Sequence, residues 1–459
     1  MNLFHDFVEK IAHSSYIVGG EATCAVIDPR RDVDVYIREA RARGLKITHI
    51  LQTHLHADFI SGHMDLAART GARIYAPKTA KCAFPHVPLS EGDSFMIEHL
   101  KFDFLDTPGH TPEHGSYVVT DTDRGRDPDG VFCGDTLFVG DVGRPDLFPD
   151  MAVKLAGKLF DSLHGKLLKL PAFCEVYPAH GAGSLCGRSM SAKQRSTIGY
   201  EKKYNPALRI RNKAEFIRSL TTNMPPAPDH FSRCSDINRR GPVRVEKLPD
   251  LLELNPAEFM KKTSGKGAVV LDVRNYDAFG GQHIPKAWNI GLAGNFPTFV
   301  GWLIPWKKPV YLVADGYTQA VEAVTWARRV GVDGVKGYLA GGMSAWAAAG
   351  YPTSSVPQIS AEALREMVER RADFILLDIR APLEFQESHI PGAVNMAVQD
   401  IRTSWKELPR SADIVVLCSS GNRSSVAASM LKQRGFAGVM NSAGGIKGYR
   451  ALGAPLTKK

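Results

Sequence analysis

The stretch Thr53-His54-Leu55-His56-Ala57-Asp58-Phe59-Ile60-Ser61-Gly62 closes the apolar run 47–52 and decides how the first half of the chain is read. A short apolar run ending in a turn is a strand that delivers its last residues to a loop. This loop projects His54, His56 and Asp58 together. Alone it would pass for a polar surface loop. Three later segments change that reading, because Thr107-Pro-Gly-His110, Cys133-Gly-Asp135 and Tyr177-Pro-Ala-His180 each set an imidazole or carboxylate beside a turn. Imidazoles and carboxylates gathered on strand ends are what a metal site needs.

Around these segments, strand-like runs at 102–105 and 117–120 mix with helical patterns at 33–43 and 63–70, which makes the region α/β. The whole chain has 459 residues, 44% hydrophobic and 23% charged. That composition excludes a disordered chain, a collagen repeat and a disulfide scaffold. At roughly 150 residues per domain the length suggests about three domains.

The formal charge is +9, but the basic residues scatter over Arg30, Arg31, Lys202, Lys203, Arg239 and Arg240 without interleaved aromatics. A solvated surface and small anionic substrates are expected, with no nucleic-acid partner. No run approaches the roughly 20 apolar residues of a membrane helix, so no membrane partner is expected either. The N-terminus lacks a secretory core, which points to the cytoplasm. There the seven cysteines are expected to stay reduced.

Turn-rich segments at 224–242 and 350–357 read as linkers and divide the chain into 1–242, 243–353 and 357–459. The last two pieces repeat one another. Asp272-Val-Arg274 aligns with Asp378-Ile-Arg380 at an offset of 106, as do His283-Ile-Pro285 with His389-Ile-Pro391 and Asn289 with Asn395. Ala340-Gly-Gly aligns with Ala443-Gly-Gly at an offset of 103. Each copy alternates apolar runs, at 310–313 and 414–417, with helical patterns, so both are α/β units.

In the last copy, Cys418-Ser419-Ser420-Gly421-Asn422-Arg423-Ser424 lies between an apolar strand and a helical pattern. Such a loop aims backbone N–H groups and a helix N-terminus at one point. A cysteine there favours its thiolate. The middle copy has Ala314-Asp315-Gly316-Tyr317-Thr318-Gln319 instead. A carboxylate in place of a thiolate is electrostatically wrong for holding an anion. The middle copy is expected to be inactive, a spacer or a docking surface.

The ordered set THxHxD, PGH, GD and PAHG resembles the metallo-β-lactamase superfamily. The resemblance implies an αββα sandwich over the first domain, with metal at the rim of two sheets. Most of that superfamily holds two metals and hydrolyses its substrates, as glyoxalase II does with two zinc ions. The full motif is HxHxDH, and its last histidine is replaced here by Phe59. A hydrocarbon ring cannot ligate a metal, and Asp58 with His180 alone makes a poor second site. His63 would substitute only if the loop were rebuilt.

Among relatives of this fold the persulfide dioxygenases look most similar. That likeness implies one mononuclear Fe(II) on His54, His110 and Asp135, the ligand set of non-haem dioxygen enzymes, with His56, Asp58 and His180 just behind it. Arg144, in a Gly-Arg-Pro-Asp segment, either positions an anionic thiol substrate or braces the metal loop through Asp146.

The Cys418 loop resembles a rhodanese active site, so both copies are read as rhodanese-like domains. The resemblance makes Cys418 the sulfur carrier and Arg423 the positive charge for an anionic partner. Ser419, Ser420, Gly421, Asn422 and Ser424 would line the substrate cradle. A phosphatase of related fold is the competing reading, and the short cysteine-to-arginine loop favours sulfur. The order of domains is similar to that of bacterial bifunctional persulfide dioxygenase–sulfurtransferases. It implies a thiol persulfide, O₂, and sulfite or thiosulfate as small-molecule partners, and a homo-oligomer, since relatives of this fold often assemble. The rivals are a zinc thioester hydrolase carrying rhodanese domains, and a non-enzymatic persulfide sensor. The other six cysteines are expected to be buried.

Overall fold

Phe102 and Phe104 face the same side of one strand and sit opposite Val119 and Tyr117 of its antiparallel neighbour. With Tyr16, Val18, Leu51 and Phe132 they form an apolar layer between two sheets. The alternation places one face of each strand in this layer. The computed structural model describes residues 1–459 except 223, 225, 266 and 459.

Contacts divide the chain into two units, Met1–Leu248 with Arg328–Gly331, and Pro249–Ala327 with Val332–Lys459. In the first, two six-stranded sheets stack face to face. Helices Asp34–Ala42 and His63–Thr70 cover one sheet. Ala152–Gly165 and Lys213–Thr221 cover the other. This is the αββα sandwich.

Strand directions fix where the site falls. In the second sheet Gly130–Gly134 runs parallel to Glu175–Pro178 and antiparallel to Gly115–Asp121, which is antiparallel to Leu100–Asp106. The carboxyl ends of three strands therefore meet at one edge. Each hands on a residue singled out above: His110, Asp135 and His180. A bridge between His13 and His180 ties this edge to the first sheet.

One expectation is corrected here. The segment 224–242, read as a linker, contains the helix His230–Arg240, which buries His230, Phe231, Cys234 and Asn238 on one side. The spacing of Phe231, Cys234 and Asn238 is that of one helical face. Its short apolar stripe, surrounded by arginines, hid it. Pro225 of that segment lies outside the described residues.

In the second unit the two copies have the same five-stranded parallel sheet. Strands run Leu252–Leu254, Val335–Leu339, Val310–Val313, Val269–Asp272, Trp288–Asn289 in one. The other runs Gln358–Ile359, Val439–Ser442, Ile414–Leu417, Ile375–Asp378, Val394–Asn395. The repeated motifs are scaffold. Arg274 clasps Asp272, and Arg380 clasps Asp378, through Nε and Nη2. His283 donates to Phe279 O at 2.8 Å and His389 to Phe385 O at 2.9 Å. The segment 350–357 is bonded to the middle copy, with Ser354 and His283 exchanging main-chain hydrogen bonds.

Candidate metal centre and sulfur-transfer loop

His54, His110 and Asp135 are buried, and their donor atoms lie within 4.8 Å of one another. His110 Nε2 is 3.3 Å and His54 Nε2 3.8 Å from Asp135 Oδ2. Hydrogen bonds fix both tautomers. Thr53 gives its hydroxyl proton to Asp28 Oδ2 at 2.7 Å, so its oxygen accepts from His54 Nδ1 at 2.9 Å. His110 Nδ1 donates to the Arg144 carbonyl at 2.8 Å. Both Nε2 lone pairs therefore face Asp135, and neither nitrogen has a hydrogen-bond partner. Buried unpaired nitrogens are costly, and a metal ion resolves them. Donors that bind one ion at about 2.0–2.2 Å have this mutual spacing, so the residues fit a metal.

The groups behind the ligands are equally ordered. His180 Nδ1 donates to Asp135 Oδ1 at 2.8 Å, and its Nε2 lies 2.9 Å from Asp58 Oδ2. Burial alone lowers the His180 pKa, but Asp135 and Asp58 outweigh it and raise it well above the ordinary imidazole value. Burial likewise opposes the Asp135 carboxylate, while His180 and His110 hold its pKa below the usual range. His56 Nε2 lies 3.1 Å from Asp28 Oδ1. Phe59 is fully buried, its ring 4.1 Å from that of His13 and 4.4 Å from that of His56. His63 gives no donor to the cluster, and its ring packs tilted on Phe84 with centroids 4.7 Å apart.

Arg144 sits in the metal loop with 1% exposure, which leaves no surface to offer a substrate. Its Nε and Nη2 bind Asp146 at 2.7 Å each, and Nη1 donates to Leu185 O at 3.1 Å. The bracing alternative is the one that the geometry supports.

Four residues of this centre had no sequence signal strong enough to single them out. His114 stacks on His54 at 4.7 Å, and its Nε2 accepts from the Asp135 N–H at 2.9 Å. It requires Gly134, where a Cβ would fall 2.5 Å from His114 Nε2 and φ is +50°. Asp28 binds Thr53 through N–H and hydroxyl. Asn238 spans the loop from the helix His230–Arg240, donating at 2.8 Å to both His56 O and Phe59 O. Cys186 joins Asp58 and His180 in a second buried donor cluster. Beside the loop, Leu55, Ala57, Glu113, Phe148 and Phe231 line a cavity of about 520 Å³.

In the last copy the strand Ile414–Leu417 delivers Cys418, and the helix Asn422–Gln433 starts after Gly421. The Gly421 N–H donates to Cys418 Sγ at 3.1 Å, and the Ser424 hydroxyl donates at 3.3 Å. Ser419, Ser420 and Asn422 continue the loop. Arg423 is paired with Glu384 through two bonds of 2.7 and 2.8 Å. Its charge is thus shared with a carboxylate rather than wholly free for an anion. In the middle copy, Gln319 closes the loop on Asp315, accepting its N–H at 2.7 Å and donating to its carboxylate at 3.1 Å. The Asp315 N–H is thereby taken up within the loop itself. Among the described residues no disulfide joins the seven cysteines, and all but Cys82 are buried.

A two-sheet sandwich whose strand ends carry a buried histidine–aspartate cluster defines a metal-binding α/β protein. The chain belongs to the metallo-beta-lactamase superfamily. That family model matches residues 9–180, and the rhodanese-like domain matches 255–349 and 360–452. A metallo-beta-lactamase from Staphylococcus aureus subsp. aureus COL is 32% identical, with TM-score 0.68, covering 74% of this chain and 99% of its own. A hydroxyacylglutathione hydrolase of Rhodospirillum rubrum is 37% identical over 36% of this chain and 60% of its own length. The mitochondrial persulfide dioxygenase of Mus musculus is 28% identical over 52% of this chain and 88% of its own length. The chain thus spans under two thirds of the hydrolase and most of the dioxygenase. Among the described residues, no helix is long and apolar enough to cross a membrane.

Proposed function

We propose that the metal centre oxidises a low-molecular-weight thiol persulfide, and that Cys418 carries sulfane sulfur to the sulfite so formed. In the first reaction R–S–SH, O₂ and water give R–SH, sulfite and two protons. In the second, sulfite takes the outer sulfur from persulfidated Cys418 and leaves as thiosulfate. Such a pair of reactions removes sulfide-derived sulfur.

The observation that carries this reading is Phe59. Its buried ring packs on His13 and His56 where the two-metal motif needs a ligand, and supports a single ion with two histidines and one carboxylate. Ferrous iron on His54, His110 and Asp135 would supply the electrons that activate dioxygen. The chain's own part is to orient and enclose. His180 and His114 hold Asp135 from its side chain and main chain, Arg144 fixes the His110 ring, and Phe59 keeps water out. The cavity beside the loop gives the organic part of the persulfide a place.

A second reading, a zinc thioester hydrolase, has one observation in its favour. Asp58, His180 and Cys186 present donors within 4.8 Å of one another, enough for a second ion. Anaerobic metal determination followed by an oxygen-electrode assay across several thiol persulfides separates the two. Iron with persulfide-dependent oxygen uptake is expected. Zinc without such uptake would sink the dioxygenase. Replacing Cys418→Ser is expected to make sulfite accumulate in place of thiosulfate.

A further inference from the structure

The metal-binding unit is completed by four residues from far along the chain, Arg328–Gly331, which the rhodanese-like match counts in the middle copy. They end the helix Tyr317–Arg329 and turn at Gly331, where φ is +74°. The last carbonyls of a helix lack donors within it, and here the metal-binding unit supplies them. Arg31 Nη1 donates to Arg328 O at 2.6 Å, the Ile60 N–H to Arg329 O at 2.6 Å, and Arg233 Nη2 to Val330 O at 2.9 Å. The buried Arg329 guanidinium clasps Asp32 through Nε and Nη2 at 2.6 and 2.7 Å.

The bond to Ile60 meets the histidine loop beside Phe59. The peptide group between Phe59 and Ile60 has one acceptor and one donor. Its oxygen accepts from Asn238 at 2.8 Å, and its N–H goes to Arg329 O. The plane from which the Phe59 side chain departs is thus held at both poles. The Ile60 side chain packs on the same turn, its Cδ1 3.4 Å from where a Gly331 Cβ would stand.

We propose that Arg329 is a positioning residue of the metal centre. Clasped to Asp32, it holds the Arg328–Gly331 peptide against Ile60 and so keeps the Phe59 ring where a second metal would need its ligand. The inference rests on the single-ion reading above. Its action is indirect, through the main chain of the loop, as is usual for the outer partners of a metal site. Without the clasp the peptide plane relies on Asn238, and the ring gains freedom. Asp58, His180 and Cys186, whose donors already lie within 4.8 Å of one another, then become able to take a second ion.

The last copy has a separate tie to the middle one. The Ser425 hydroxyl donates to Asn289 Oδ1 at 2.6 Å, and the Asn289 amide donates to Asp272 O and Arg274 O. The strand Ile414–Leu417 therefore serves as a reference within the same chain.

Full-length wild type, Arg329→Ala and Arg329→Lys are loaded with zinc, and metal content and amide hydrogen exchange are measured. For Arg329→Ala, zinc is expected to rise from about one to nearly two ions per chain. The Ile60 amide is expected to exchange about tenfold faster, with exchange across Ile414–Leu417 unchanged. Arg329→Lys, which can keep one bond to Asp32, is expected to fall between. Asp32→Asn weakens the clasp from its other side and is expected to repeat both shifts, which keeps the test open should Arg329→Ala not fold. Zinc that stays at one ion per chain, or an Ile60 amide that exchanges as in wild type, would overturn the proposal. So would faster exchange across Ile414–Leu417 to the same degree, the mark of a chain loosened throughout. Two ions in the wild type would overturn the single-ion reading itself.

Discussion

Asn238 donates its side-chain amide to the main-chain oxygen of His56 across 2.8 Å, although 182 residues separate them. The same amide reaches Phe59 O, and its oxygen accepts from the Ser61 N–H at 2.9 Å. One side chain therefore fixes three main-chain groups of the histidine loop.

Asn238→Ala leaves those three buried groups without partners. Each costs about 1–3 kcal/mol when left unsatisfied, softened as the loop relaxes. We expect a loss of about 2–4 kcal/mol in urea unfolding and weaker metal retention against a chelator. Unchanged metal release would show that the loop holds its shape without this residue.

Phe59→His restores the missing ligand of the two-metal motif. Metal content is expected to rise from about one to nearly two ions per chain under zinc supply. Persulfide-dependent oxygen uptake is expected to fall at the same time. A stoichiometry that stays at one would mean that the ring is not what keeps the second ion out.

Arg144→Ala tests bracing against substrate binding. Removing its side chain strands Asp146 and loosens the main chain whose carbonyl orients His110, so metal affinity is expected to drop about 10–100-fold. Were the guanidinium a substrate anchor, KM would rise while metal content stayed level.

Burial, with His56 nearby, pulls the pKa of His63 down to about 3. The unfolded chain takes up this proton near pH 6.5 and the folded chain only near pH 3. Stability from keeping it neutral is thus present above about pH 6.5 and lost as the pH falls, by up to ~1.4 kcal/mol per pH unit. His63→Phe keeps an aromatic ring packed on Phe84 and removes the titration. Its stability between about pH 4 and 6 is expected to fall less steeply than that of wild type, by up to one proton. Identical slopes in urea melts at several pH values would contradict this.

The ligands and the strands that carry them were legible because each ligand follows a short apolar run and a turn, a local pattern. The duplication was legible because its repeated residues, Asp272 and Arg274, Asp378 and Arg380, do the same scaffold work twice. Asn238, Asp28 and His114 were not, since each acts through a tertiary contact that leaves no periodic trace. Arg144 stayed ambiguous for a different reason. An arginine beside an aspartate serves a substrate or a loop equally well until its burial is known. The helix His230–Arg240 was lost among charges, because only a few of its positions are apolar.

Asn289 and Asn395 are the same residue in two copies of one fold, and each makes the same pair of main-chain bonds. Only Asn289 also grips the neighbouring copy. A duplicate that loses its nucleophile is ordinarily free to drift, because nothing it does can be damaged. Under the sulfur-transfer reading drift is checked at second hand: a change in the cysteine-free copy would reach the Cys418 loop through this bond.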